Sequence, residues 1–228
     1  MGRRWLLQSR GLGDGAYAGQ TSWISRDVVA RVRRLLNEKR VGHAGTLDPA
    51  ATGVLPVAVG HATKSIEWLE HASKTYCAEI AFGVATDSAD VDGVVIEMGD
   101  PSQLDAERVA AALRLFEGPI EQIPPMHSAI KVGGVRLYQH ARRGEVVDVP
   151  GRSVTIHSID LVNWDAPVAT VAIDCSKGTY IRSIARDLGA TLGIPAHLAN
   201  LVRLRSGTFH LDEAWTLAEL AEIDLDAE

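Results

Sequence analysis

Apolar residues recur at helical spacing in four stretches of the chain. Each stretch carries a helix-boundary signal, such as Ser25 before the first and Gly193 after the third. Two stretches begin with a capping box, Ser102 with Asp105 and Thr216 with Glu219. These patterns predict helices at Arg26–Arg40, Ser102–Glu117, Ile181–Leu192 and Thr216–Ala221.

Shorter apolar runs bounded by turn residues predict four strands. They are Val54–Val59, Thr75–Phe82, Val94–Met98 and Val168–Ile173. Between these elements lie a glycine-punctuated loop at 42–53, an acidic turn at 87–93 and a loop-rich, basic excursion at 122–151. The order is neither strict βαβ alternation nor all-β, so we predict an α+β fold with a mixed sheet.

The net charge of −6 hides an uneven distribution of charged residues. The chain has 228 residues, 46% of them apolar, which excludes disorder as its main state. Its 23 bases oppose 29 acids, but seven acids lie within 87–107 and seven within 212–228, where no Lys or Arg occurs. The remaining residues carry 23 bases and 15 acids, a net charge of +8. The acidic total therefore does not exclude a nucleic-acid partner.

The bases form clusters on the first predicted helix, on the excursion and late in the chain. Their members are Arg26, Arg31, Arg33, Arg34, Lys39, Arg40, Lys131, Arg136, Arg142, Arg143, Arg203 and Arg205. A solvated helix face is the alternative explanation for any one cluster. Several clusters beside a Gly- and Pro-rich excursion favour RNA or DNA binding.

Cys77 and Cys175 are too few for a disulfide framework and lack metal-site spacing. The N-terminal apolar run, Trp5–Leu7, is too short for a secretory signal. No run approaches the roughly 18 apolar residues of a membrane span. We therefore expect a cytoplasmic protein with reduced thiols and no membrane partner.

The segment from Arg40 to Val57 is the most informative part of the sequence. It reads RVGHAGTLDPAATGVLPV and places Asp48 before Pro49 among three glycines. Locally, this pattern predicts that Asp48 caps a short helical turn that ends at Gly53. The glycines indicate in addition that another group approaches this backbone closely.

A second informative segment, Cys175–Ser183, joins a predicted strand to a predicted helix through a Lys-Gly turn. It places Arg182 in the first turn of that helix, where a cation is unfavourable. An ordinary surface arginine is one interpretation. The other is an arginine positioned to pair with a carboxylate.

Together these segments resemble the signatures of the TruB-type tRNA pseudouridine synthases. The matching motifs are Gly42–Pro49, Gly60–Lys64, Thr86–Asp90, Gln122–Ala129, Gly134–Tyr138 and Ser176–Arg182. The resemblance implies a mainly antiparallel central sheet with flanking helices and an RNA-binding insertion at about 124–151. It also implies isomerisation of the T-loop uridine at position 55 of tRNA, without metal or cofactor.

The resemblance assigns four catalytic residues. Asp48 attacks the sugar covalently or removes a sugar proton, and either step starts cleavage of the base from C1′. Arg182 gives Asp48 a counter-charge and holds its orientation, and Asp90 belongs to the same network. Tyr76 stacks on the target base after that base has left the T-loop stack.

Further residues match positions that contact RNA in the family. His43 lies against the extruded RNA, and Tyr180 and Leu201 line the pocket. The expected partner is the T-arm of tRNA, bound by a monomer. The predicted phosphate contacts come from the excursion and from one earlier lysine: Lys64, Lys131, Arg142 and Arg143.

The sequence departs from the family at both ends. Family members open with a strand and a Lys-Pro-x-Gly turn, whereas residues 8–20 contain no Lys-Pro. Many members continue into a C-terminal PUA domain. We predict a divergent segment at 1–24, a catalytic domain at 25–210 and an acidic helix at 211–228, with no PUA domain.

Other functions fit parts of the sequence. Residues 90–93 resemble a magnesium-dependent phosphatase motif, but the apolar strand that must precede it is missing, and the same acids fail as an EF-hand loop. A guide-RNA-dependent pseudouridine synthase shares the Gly-Thr-Leu-Asp-Pro core, and a non-catalytic RNA-binding or tRNA-folding protein has the same fold. The Gln-Ile-Pro-Pro-Met segment favours the stand-alone tRNA enzyme. The joint presence of Asp48, Tyr76 and Arg182 favours catalysis.

Overall fold

The computed structural model describes residues 7–9, 24–145 and 147–222. Its strands are β1 Leu7–Ser9, β2 Val41–His43, β3 Ala51–Leu55, β4 Val57–Val59, β5 Lys74–Phe82, β6 Val84–Thr86, β7 Val95–Met98, β8 Gly118–Gln122, β9 Lys131–Val132, β10 Val135–Arg136, β11 Arg152–Asp165, β12 Val168–Cys175, β13 Ala196–Ser206, β14 Phe209–His210 and β15 Trp215–Thr216. Its α-helices are α1 Ser25–Leu35, α2 Ile66–Glu70, α3 Ala106–Leu113, α4 Leu137–Arg142, α5 Ile181–Leu192 and α6 Leu217–Glu222. Most of the predicted segment 1–24 and the last six residues of the predicted acidic helix lie outside the described residues.

The chain divides into two compact units, residues 1–76 with 202–228 and residues 77–201. In the first unit the strand order is β15–β1–β3–β13. Strand β1 pairs antiparallel with β3 and parallel with β15, so the opening strand is present despite the missing Lys-Pro. Strands β2 and β4 form a separate antiparallel pair. Helix α1 packs on β2 and buries Val28, Val29 and Val32.

In the second unit the strand order is β5–β12–β11–β8, with antiparallel pairing on both sides of β11. Alternate residues of β12 are buried, which places Ala169, Val171 and Ile173 in the core. Helix α3 packs on β11 and against α5. The fold is therefore α+β, with a mostly antiparallel central sheet and flanking helices, as predicted.

Several predicted elements are confirmed and others are wrong at their ends. Helix α5 has the predicted bounds, and β5, β7 and β12 match within two residues. Helix α1 ends at Leu35 rather than Arg40, and its N-cap is Ile24 rather than Ser25. Helix α3 begins at Ala106, because Asp105 accepts a hydrogen bond from the backbone of Arg108 and caps it.

The segment around Asp48 also differs from its prediction. The predicted helical turn is a single turn closed by Ala51 N donating to Asp48 O at 2.9 Å, and β3 starts at Ala51. The predicted strand Val54–Val59 is two strands, because Pro56 between them has no N–H to donate. The elements outside the excursion that have no predicted counterpart are helix α2 and the strands β1, β2, β6, β8, β11, β13, β14 and β15. The excursion is not all loop, since it contains β9, β10 and α4.

Candidate active site

The loop between β2 and β3, residues 44–50, carries Asp48 and is fixed through its backbone. Ala44 N donates to Pro56 O at 2.9 Å. Leu47 N donates to Ser25 Oγ at 3.0 Å, and both of these residues are buried. The serine predicted to cap α1 therefore anchors the loop one residue before Asp48.

Arg203, on β13, binds the first half of the same loop and the strand β3 that follows it. Its side chain is fully buried, with the residue 1% exposed. The guanidinium donates to Val54 O at 2.7 Å, to Gly45 O at 3.1 Å and to Thr46 O at 3.5 Å. These three carbonyls come from opposite sides of Asp48 in the sequence, so one side chain links the start of the loop to β3.

Two predicted catalytic residues are electrostatic partners of Arg203. Burial lowers the pKa of Arg203, whereas the hydrogen-bonded Tyr76 phenol and the Asp48 carboxylate oppose that shift. Both Asp48 and Tyr76 are half-buried. The structure thus places Asp48 and Tyr76 around one cation in the first unit.

The backbone of Arg203 also makes the close approach that the glycines of this segment predict. A Cβ atom at Gly53 would lie 2.2 Å from Arg203 O and 2.6 Å from Arg203 N. Gly53 has a φ of +108°, a conformation that L side chains rarely adopt. Only glycine fits at this position of β3 without a shift of the backbone.

His43, the last residue of β2, is half-buried in the first unit. Burial lowers its pKa, with Glu70 opposing and Arg203 adding to the shift. Its Nδ1 atom is buried, and it has no hydrogen-bond partner among the described residues. The ring is therefore favoured in its neutral form.

Arg182 and Asp90 form an ion pair in the second unit. Arg182 Nη1 lies 3.3 Å from Asp90 Oδ2, with side-chain exposures of 6% and 15%. Arg182 also donates to Ser88 O at 3.3 Å and to His127 O at 3.1 Å. Asp90 accepts from Ser88 Oγ at 2.6 Å. Arg182 lies in the first turn of α5 as predicted, whereas its pairing with Asp48 stays a prediction.

Tyr180 is held at the N-terminus of α5 by Gln122. Tyr180 N donates to Gln122 Oε1 at 2.8 Å, and Gln122 Nε2 donates back to Tyr180 O at 3.1 Å. The Arg152 guanidinium lies over the Tyr180 ring, 5.8 Å from its centre. The two hydrogen bonds between Gln122 and the Tyr180 backbone, together with the Arg152 guanidinium over the ring, orient this aromatic side chain in the second unit.

The remaining predicted RNA-contact residues are placed as follows. Leu201 is buried on β13, at 7% exposure. Lys64 is exposed on the 3₁₀ turn 60–65. On the excursion, Arg142 lies over the Tyr138 ring at 5.6 Å, and the predicted phosphate-contact residues Lys131, Arg142 and Arg143 are all exposed.

Arg203 is the site residue that the sequence reasoning missed, since the sequence shows it only as one of the late bases. Its signal is a cation inside the apolar run Leu201-Val202-Arg203-Leu204, a position where a strand normally carries an apolar side chain. Ser25 has a different role from the predicted helix cap, because its hydroxyl accepts the hydrogen bond from Leu47 N.

Among residues 7–9, 24–145 and 147–222, no group of three or more His, Cys, Asp or Glu could hold a metal ion. No helix of the described segments is long and apolar enough to cross a membrane.

Comparison with known proteins places the chain among RNA-modifying enzymes. The family model "TruB family pseudouridylate synthase (N terminal domain)" matches residues 33–181, and "tRNA pseudouridylate synthase B C-terminal domain" matches residues 182–228. A tRNA pseudouridine synthase B from Symbiobacterium thermophilum is 54% identical over 86% of this chain and 67% of its own. One from Nostoc sp. is 50% identical over 88% of this chain and 69% of its own.

Solved structures of pseudouridine synthase assemblies share the fold. An H/ACA ribonucleoprotein bound to a substrate RNA containing 2′-deoxyuridine matches with a TM-score of 0.66 at 28% identity, over 88% of this chain and 49% of that one. A Cbf5–Nop10–Gar1 complex matches with a TM-score of 0.70 at 26% identity, over 96% of this chain and 63% of that one.

The fold and the two matched family models together identify the chain as a pseudouridine synthase, which is an isomerase. The chain belongs to the TruB family of pseudouridylate synthases. It spans about two thirds of the length of its curated relatives and about half of the H/ACA protein. The predicted boundary at residue 211 stays a prediction, since the C-terminal family model runs across it.

Proposed function

We propose that this chain converts the T-loop uridine at position 55 of tRNA to pseudouridine, with Asp48 as the residue that starts the reaction. The observation that carries the proposal is the fixed loop. In a member of this family, Asp48 lies on a backbone held by Ser25 and Arg203, beside Tyr76. Tight positioning of a single carboxylate is what such an isomerisation requires.

The reaction balances without any external reagent. The bond between C1′ and N1 of the base breaks, the base turns, and a bond between C1′ and C5 forms. The proton on C5 is lost and a proton is gained at N1, so nothing is oxidised or reduced. A carboxylate starts the sequence by attacking the sugar or by removing a sugar proton. No metal or cofactor has a step to perform in this scheme.

The other site residues receive roles that their surroundings support. Tyr76 offers an aromatic face to the extruded base, and its hydroxyl is held by Arg203. His43, half-buried at the end of β2, would contact the RNA through the exposed part of its side chain. Arg182, paired with Asp90, would supply a counter-charge to Asp48. Tyr180, oriented by Gln122, and Leu201 would line the base pocket.

The exposed bases of the excursion support binding to the T-arm backbone. Lys131, Arg142 and Arg143 are exposed, and Arg143 Nη1 lies 3.9 Å from a carboxylate oxygen of Glu145. Lys64 would add a phosphate contact. We infer a cytoplasmic, monomeric enzyme that acts on tRNA alone. The chain is 54% identical to a tRNA pseudouridine synthase B and 28% identical to the protein of the H/ACA ribonucleoprotein, which favours tRNA as the substrate.

The test is modification of an unmodified tRNA transcript, followed by chemical mapping of pseudouridine. We expect one modified uridine, at position 55, formed in the presence of EDTA and without any guide RNA. A transcript with cytidine at that position should yield no product. A requirement for guide RNA would support the guided enzyme instead. Tight tRNA binding without product would support a non-catalytic binding protein.

A further inference from the structure

We infer that Arg203 is a positioning residue for the isomerisation: its buried guanidinium holds the loop that carries Asp48 in the geometry needed for attack. This inference rests on the proposed function. It concerns a residue outside the matched sequence motifs, on a strand that the sequence did not predict.

Arg203 donates hydrogen bonds both to the neighbouring strand β3 and to the loop that carries Asp48. Gly45 and Thr46 precede Asp48 by three and two residues, and Val54 follows it by six. All three offer carbonyl oxygens to the one guanidinium, at 2.7 to 3.5 Å. A planar group with five donors can satisfy carbonyls on two sides at once, whereas an ammonium group cannot reproduce that fork.

The charge of Arg203 also faces the predicted site residues. Asp48 and Tyr76 both act on its pKa, and Arg203 in turn contributes to the lowered pKa of His43. One buried cation therefore acts electrostatically on three residues of the proposed site.

A purely structural role does not explain a buried cation on this strand. Burying a charge is costly, and an apolar side chain of similar size in a strand core is often equally stabilising or better. The cation is retained where the surrounding groups need its charge and its directed donors. Here those groups are the catalytic loop and its neighbours.

The experiment compares Arg203→Lys with Arg205→Lys on the same tRNA transcript. Arg205 lies two residues along β13, and its hydrogen-bond partners include Thr75 Oγ1 at 3.0 Å, Ser73 Oγ at 3.3 Å and Gly207 O at 3.0 Å. None of these partners belongs to the loop that carries Asp48. The control therefore reproduces the loss of an arginine fork without loosening that loop.

For Arg203→Lys we expect kcat to fall by about 10²-fold, the usual cost of a misplacement near 1 Å. The Kd for tRNA should stay within about threefold, because ground-state binding is not affected. Arg205→Lys should match Arg203→Lys in melting temperature but lose far less kcat, because its described partners lie outside the loop that carries Asp48. Any contribution of this basic residue to RNA binding would change the Kd for tRNA instead. An unchanged kcat in Arg203→Lys, or equal losses in both variants, would overturn the inference.

A second variant covers the case in which Arg203→Lys does not fold. Arg203→Gln is neutral, so it removes the burial cost of the charge while keeping an amide donor. We expect the same loss of kcat per folded molecule, and an increased pKa of His43 in an NMR titration. A His43 pKa equal to that of wild type would contradict the proposed electrostatic link. A wild-type enzyme without activity on any tRNA would instead refute the proposed function.

Discussion

Replacing Gly53 with alanine tests the contact between β3 and the backbone of Arg203. The new Cβ would lie 2.2 Å, 2.6 Å and 2.8 Å from the O, N and C atoms of Arg203. All three are backbone atoms, so no side-chain rotation relieves the overlap. Either β3 moves away from β13 or the loop before it changes its path.

The cost has two parts. A side chain at φ +108° is strained, and the overlap forces a backbone shift. Together these cost roughly 4 kcal/mol. Gly118→Ala is the matched control, because Gly118 has a φ of +90° but an added methyl group there would meet nothing within 4 Å. It shares only the conformational strain, about 2 kcal/mol.

The assay is thermal unfolding followed by circular dichroism, with kcat measured on the same samples. For a chain of this size, 2 kcal/mol corresponds to about 4–8 °C, so Gly53→Ala should melt that much below Gly118→Ala. Its kcat should also fall, since the displaced strand continues into the loop that carries Asp48. Equal melting temperatures for the two variants would refute the reasoning about this contact.

Three further predictions concern other contacts of the site. Asp90→Asn leaves the buried Arg182 without its counter-ion, so the free energy of unfolding should fall by about 3 kcal/mol. Asp92 is exposed, so the control Asp92→Asn should change that free energy by no more than about 0.5 kcal/mol. Equal effects of the two variants would contradict the ion-pair role of Asp90. Burial lowers the pKa of His43 in the folded state. The contribution of the neutral His43 ring to the free energy of unfolding is therefore complete above the unfolded pKa of about 6.5. That contribution is lost as the pH falls through the lower folded-state pKa. Melting temperatures between pH 7.5 and pH 5 should therefore fall more steeply for wild type than for His43→Gln, and parallel profiles would show that the ring is not desolvated. Ser25→Ala leaves the buried Leu47 N–H without its acceptor, so the free energy of unfolding measured in urea should fall by about 1–3 kcal/mol. The kcat should also fall, because the loop that carries Asp48 loses this hydrogen bond. An unchanged kcat would mean that the bond does not position Asp48.

The two longest strands, β11 and β13, were not predicted, and both depart from regular alternation. Strand β11 has a register shift between Ile156 and Ser158, so its buried positions change from even to odd residue numbers, Ile156 and then Ile159. Strand β13 buries Leu201, Val202 and Arg203 in succession. Neither segment keeps the alternation on which strand prediction depends. Helix α5 could be predicted, because its apolar period and its terminal glycine agree.

The sequence predicted those site residues that match a motif of the family. Asp48, Tyr76, Arg182 and Asp90 all came from the resemblance, and the structure joins Arg182 to Asp90 and sets Asp48 and Tyr76 around Arg203. The role of Arg203 could not be read from the chain, because its partners Gly45 and Thr46 lie more than 150 residues away. Only folding brings a guanidinium and a distant loop within hydrogen-bond distance.

The most direct test of the central claim is a single-turnover measurement with Asp48→Asn and excess enzyme over tRNA. The substitution keeps the size of the side chain and removes its charge and nucleophilicity. We expect pseudouridine formation to slow by roughly 10⁴-fold or more, with the Kd for tRNA within about threefold of wild type. A variant that binds tRNA normally and forms pseudouridine at the wild-type rate would contradict the assignment of Asp48.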